Sequence, residues 1–179
     1  PNIVRGFAYE PDAENFDAMV ANLSPWSDRL TLRCYALGDQ RGMFKLYRDA
    51  SNSGNYSFLR EAMAANEFDT SLVSMRLASV ESMDWINAGQ PILYKSDAQG
   101  YDELIATALD PRVWGQVFAA VFEIWRIEKP DFDILAFGNI LARFPNRMLL
   151  NAQQSLTVNE AVDYLSGRDG QWDDLAVWG

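Results

Sequence analysis

Histidine is absent from this chain, and that single absence removes more chemistry than any other feature of its composition. Without an imidazole there is no Ser/His/Asp triad, no HExxH zinc site and no imidazole base, so any acid or base must be Asp, Glu, Lys, Tyr or Cys. Cysteine is nearly absent too. Cys34 is the only one, which excludes an internal disulfide and a thiolate cluster, and its setting between Leu32 and Tyr35 reads as a buried strand residue. Basic residues are outnumbered, 15 Lys and Arg against 25 Asp and Glu, for a formal net charge of -10. Such a surface repels phosphate backbones and anionic lipid heads, so nucleic acid and acidic membranes are not expected partners. Long apolar runs are missing as well: Val117 to Phe122 falls far short of the roughly 20 residues that cross a bilayer, and no basic-then-apolar leader is visible. A cytoplasmic protein without a membrane partner is the expectation, and no acids cluster at a spacing suited to a metal.

What the chain does have is material for a core. Its 179 residues, 49% apolar and 22% charged, fit one domain. The most informative stretch runs from Ile92 to Ile105, where an apolar run stops at Asp97, passes Gly100 and restarts at helical spacing through Tyr101, Leu104, Ile105 and Ala108. This is a strand running into a helix with a carboxylate at the junction. A second junction of the kind lies at Phe7-Ala8-Tyr9-Glu10-Pro11, where Ile3 to Tyr9 reads as a strand and Phe16, Met19, Val20 and Leu23 as the stripe of the next helix. Strands are further expected over Leu30 to Leu37, Met43 to Tyr47, Val73 to Val80, Phe118 to Ile127 and Arg147 to Leu150. Helices are expected over Phe58 to Phe68, Glu81 to Asn87, Ile134 to Phe144 and around Ala161 to Leu165, and Asp49 to Tyr56 reads as a polar surface loop. Alternation of this kind implies an α/β fold, doubly wound, with a mostly parallel sheet covered on both faces.

In open α/β sheets ligands bind outside the carboxyl ends of strands, which makes Glu10 and Asp97 the leading candidates. A strand-end carboxylate can accept both hydroxyls of an adenosine ribose, the role expected of Glu10; as an acid beside the next helix N-terminus it would equally favour that helix through its dipole. Asp97 is expected to be buried between Lys95 and Gln99, with Lys95 either its neutralising partner or a second functional group. Glu103 reads as a solvated residue, and Glu123 as a buried acid needing a donor, for which Arg126 and Lys95 are the candidates. A glycine-rich turn should precede the first strand-end acid by some 20 residues, yet only nine residues precede Glu10, so the chain is expected to begin inside a larger protein.

Tyr9-Glu10-Pro11-Asp12 with Asn22-Leu23, then Ala36-Leu37-Gly38-Asp39 with Gly42, then Lys95-Ser96-Asp97-Ala98-Gln99-Gly100-Tyr101-Asp102-Glu103 resemble the FkbM-type methyltransferases in order and spacing over nearly the whole chain. The resemblance implies a Rossmann-like sheet of seven strands lacking its first strand and helix, S-adenosylmethionine as cofactor, and O-methyl transfer to a hydroxyl of a sugar, glycan or small metabolite. It further implies that Glu10 binds the ribose, that Ala36 and Leu37 flank the adenine, and that Asp97 faces the methionyl end and the substrate. With no histidine in the chain, Asp97 is the candidate to orient or deprotonate the acceptor hydroxyl, and Lys95 the group that lowers the cost of charge beside it. Ser96 departs from the aliphatic residue usual in the family, and the glycine-rich cofactor motif is missing. A binding or scaffolding module that keeps the fold without the cofactor is the alternative; a nicotinamide dehydrogenase half ranks behind both.

Overall fold

A computed structural model describes residues 5–63 and 68–179. The chain forms β1 (Gly6–Tyr9), α1 (Ala13–Leu23), β2 (Leu30–Arg33), β3 (Ala36–Gly38), β4 (Gly42–Asp49), β5 (Tyr56–Ser57), β6 (Phe68–Leu77) and α2 (Ala78–Asn87). It continues with β7 (Ile92–Ser96), α3 (Asp102–Ala108), β8 (Val117–Trp125), α4 (Ile134–Leu141), β9 (Asn146–Leu149), β10 (Gln154–Ser155), α5 (Val158–Leu165) and β11 (Trp172–Trp178). The class is α/β, as the alternation implied, but the strands do not form one mostly parallel sheet. They divide into a parallel pair β1-β2, a five-stranded sheet ordered β10-β9-β11-β8-β7 and a four-stranded sheet ordered β3-β6-β4-β5. Among the described residues parallel pairing is confined to β1 with β2, β3 with β6 and β7 with β8; β11 runs antiparallel between β8 and β9.

Several sequence expectations shift for identifiable reasons. Leu30 to Leu37 is two strands, because the chain bends at Cys34 and Tyr35: β2 pairs with β1 while β3 pairs with β6 in another sheet. Cys34 is accordingly exposed instead of buried. Ala78 to Val80, read as extended, begin α2. Of the helix expected over Phe58 to Phe68 only a single 3-10 turn at Arg60–Ala62 forms, Phe68 opens β6, and residues 64–67 lie outside the described set. Ile3 and Val4 of the first strand lie outside it as well.

The main core sits between the five-stranded sheet and the layer of α2, α3, α4 and α5. Phe122, Ile124, Leu175 and Val177 of the sheet are buried against Phe137, Leu141, Ala161 and Leu165 of the helices. Each of the larger of these side chains, moved from water into the interior, contributes on the order of 2 kcal/mol. β1 reaches this core through Trp85 of α2, whose ring lies 6.3 Å from Phe7, 6.0 Å from Tyr9 and 6.4 Å from Tyr94 of β7. Its indole N–H donates to the Tyr9 hydroxyl at 3.1 Å. One tryptophan therefore spans the interval between β1 and β7, which are not hydrogen-bonded to each other. α1 is less anchored; it buries no residue and is held at its start by the Asp12 cap.

Candidate functional site

The strand-end turn after β7 is the most constrained loop at the candidate site. Gln99 has φ 48° and Gly100 φ 85°, so the backbone reverses through left-handed conformations between β7 and α3. Glycine is required at position 100 for a second reason: a Cβ there would come within 2.9 Å of Ile127 Cδ1 and 3.4 Å of Trp125 Cβ. Three side-chain hydrogen bonds fix the turn from opposite sides. Ser57 of β5 donates its hydroxyl to the Gln99 carbonyl at 2.7 Å, while the Asp102 carboxylate accepts the Ala98 N–H at 2.9 Å and the Glu123 N–H of β8 at 3.2 Å.

Asp97 itself is not buried. Its carboxylate accepts from Lys95 Nζ at 2.7 Å and Gln99 Nε2 at 3.2 Å, and the side chains of Asp97 and Lys95 are 54% and 60% exposed. The burial expected of Asp97 is therefore corrected: the turn lifts it clear of the sheet end and leaves it facing solvent beside its cation. Such an exposed pair adds little stability.

The buried carboxylates lie one turn further on. Asp102 and Glu103 open α3 and both are fully buried. Burial, with the Glu103 charge adding to it, pushes the Asp102 carboxyl up to about 8. Glu103, expected to be solvated, receives Lys129 Nζ at 2.9 Å; that ammonium also donates to the Trp125 carbonyl at 2.7 Å and lies over Phe132. Burial raises the Glu103 carboxyl and Lys129 opposes it. Glu123 takes neither Arg126 nor Lys95 as its partner; the Trp125 indole N–H donates to it at 2.9 Å. Its carboxyl is raised by burial first, the charges of Asp97 and Asp174 adding to the effect. The sequence signal for Asp102 and Glu103 was two acids directly behind Gly100-Tyr101, but nothing local distinguishes a buried helix-start acid from a solvated one.

Glu10 lies past the end of β1, where its own N–H still bonds the Arg33 carbonyl of β2. Half-buried, its carboxylate accepts the Asp12 N–H at 2.8 Å, and burial raises it. Among the described residues it forms no ion pair, so it retains accepting capacity for hydroxyl donors. Near it stands Cys34, whose thiol is raised by burial and by the Glu10 charge, and the ring of the preceding Tyr9 lies tilted against Tyr35 with centroids 5.8 Å apart. Ala36 and Leu37 are held in β3 at 5% and 6% exposure, with Leu37 in the main core. β3 is an edge strand, so what these two present outward is backbone and not side chain. The structure thus pairs Lys95 with Asp97, while Glu10 lies apart from them, beside Asp12 and Cys34.

Among the described residues no group of His, Cys, Asp and Glu is arranged to hold a metal ion, and no helix is long and apolar enough to cross a membrane. No protein-family model matches the chain, and no match was found among curated proteins or solved structures.

Proposed function

We propose that this chain carries the fold and site of an S-adenosylmethionine-dependent O-methyltransferase acting on a hydroxyl of a sugar, glycan or small metabolite. The observation that carries the reading is the pair of carboxylates at the carboxyl ends of two parallel-paired strands, Glu10 after β1 and Asp97 after β7, the second on a turn fixed by Gly100, Ser57 and Asp102. On this reading β1-β2 and β7-β8-β11-β9 belong to one doubly wound sheet, and a further strand would join them across the interval that Trp85 spans. Among the described residues β1 and β7 each leave an edge unpaired on either side of that indole, which supports it.

The Glu10 carboxylate fits a ribose: it is half-buried, has a single backbone donor, and gains from two hydroxyl donors what burial costs it. The backbone edge of Ala36 and Leu37 would border the adenine. S-adenosylmethionine, when bound, supplies both the electrophilic methyl group and its leaving group, so the residues of the chain have mainly to align an acceptor oxygen and exclude water. Asp97 accepts the proton of the acceptor hydroxyl or orients it, and Lys95 at 2.7 Å stabilises the carboxylate that does so. The exposure of that same pair favours the second reading, a binding or scaffolding module without cofactor.

Calorimetric titration of S-adenosylmethionine into the chain and into a version extended upstream through a glycine-rich strand decides between them. Saturation of the extended version at one equivalent, weakened by about tenfold or more in Glu10→Ala, is the expected result. Binding by neither version would overturn the methyltransferase reading in favour of the module.

A further inference from the structure

The four-stranded sheet meets both strand-end carboxylates through one short strand pair, β4-β5. Arg48 pairs with Tyr56 and Tyr47 with Ser57, so Arg48 and Ser57 stand on neighbouring rungs and their side chains leave on opposite faces. On one face the Arg48 guanidinium lies 3.2 Å from Asp12 and 2.9 Å from Glu14 at the start of α1, and the Asp12 N–H donates to Glu10. On the other, the Ser57 hydroxyl donates to the Gln99 carbonyl, and Gln99 Nε2 donates to Asp97 at 3.2 Å. Glu10 and Asp97 are thus each two steps from the same ladder, although β1 and β7, the strands they follow, are not hydrogen-bonded to each other. The loop joining β4 to β5 is itself tied down. The Asp49 carboxylate accepts the Ser51 N–H at 2.8 Å, the Ser51 hydroxyl at 2.6 Å and Asn55 Nδ2 at 2.9 Å, and Asn15 of α1 donates to the Ser53 carbonyl at 2.9 Å.

The residue at position 99 indicates what these links serve. Glycine adopts a φ of 48° freely, whereas glutamine there is strained and persists only where its surroundings hold it. Ser57 is what holds it: 1% exposed, its oxygen accepts the Leu59 N–H at 3.0 Å while its proton goes to the Gln99 carbonyl. In return the glutamine brings an amide that glycine lacks, which bonds Asp97 and also the Glu123 carboxylate. Lys95, the other partner of Asp97, is a long and mostly exposed side chain that fixes no direction. We infer that β4-β5 braces the candidate site, with Arg48 and Ser57 as positioning residues that set the Glu10 and Asp97 carboxylates relative to each other. The inference rests on reading those two carboxylates as the ends of one site.

The test follows the carboxyl-carbon resonances of Glu10 and Asp97, together with amide hydrogen exchange, by NMR in the full chain. It uses no cofactor, so a failure to bind S-adenosylmethionine and a failure of the brace are read separately. Ser57→Ala and Gln99→Ala, the second of which keeps the hydroxyl-to-carbonyl bond, should both move the Asp97 resonance towards that of a free aspartate. Ser57→Ala should also speed exchange of the Ala98 amide by about tenfold. Arg48→Met should move the Glu10 resonance and speed the Asp12 amide by about as much, while the amides of β8 stay within about twofold of the parent in all three variants. An Asp97 resonance unmoved by Ser57→Ala or by Gln99→Ala, or a Glu10 resonance unmoved by Arg48→Met, would overturn the inference. So would β8 amides exchanging faster in step with Ala98 and Asp12, because these residues would then hold the fold and not the site.

Discussion

Replacing Lys129 by Met should destabilise the protein in a way that depends on pH, because it strands a carboxylate. Lys129 and Glu103 are 8% and 0% exposed with 2.9 Å between Nζ and Oε1. At that separation Coulomb's law gives about 6 kcal/mol of attraction for an effective dielectric of about 20. Desolvating both ions offsets most of this, so the intact pair is worth little against apolar replacements, whereas loss of one partner costs about 3–5 kcal/mol. A domain of this size is stable by only about 5–15 kcal/mol, so the loss is large. The pH dependence follows from the raised Glu103 carboxyl, which loses its main opposing influence with Lys129. A carboxyl raised in the folded state favours the protonated fold, so stability is kept below the ordinary carboxylate pKa and lost as pH rises towards the raised value. Urea denaturation followed by tryptophan fluorescence should therefore show the deficit of Lys129→Met, relative to the parent at the same pH, smallest near pH 5 and largest near pH 8. The double variant Lys129→Met with Glu103→Gln should return to within about 1 kcal/mol of the parent. A deficit below about 1 kcal/mol at pH 8, or one of equal size at both pH values, would refute the buried-pair argument.

Asp102 adds to the pH response of the parent, alongside the raised carboxyls of Glu10, Glu103 and Glu123. With its carboxyl pushed up to about 8 in the fold, against about 3.9 when unfolded, it makes stability decline as pH rises through that window. Asp102→Asn should flatten the decline in a series of denaturation curves from pH 4 to pH 8, and an unchanged slope would show that Asp102 is not its source. Gly100→Ala meets both a φ of 85° and the Ile127 methyl at 2.9 Å, so a loss of about 1–3 kcal/mol by thermal unfolding is expected, and none would mean the turn has a relaxed alternative.

The sequence by itself determined the elements whose residues repeat at the period of a helix or strand: β7 into α3, β8, α4 and the β1-α1 junction all stand near where periodicity set them, because each period is imposed by one element burying one side. Gly100 was legible for the same reason, as a local break. Tertiary structure decided which strands pair, and so split Leu30 to Leu37 between two sheets, placed antiparallel β11 between β8 and β9, and gathered every helix from α2 to α5 on one face. It also decided the charges. Asp97 and Glu103 are both acids near a strand end, yet one faces solvent and the other is sealed beside Lys129, 26 residues away. Desolvation depends on everything that packs around a group, and most of those neighbours are remote in sequence.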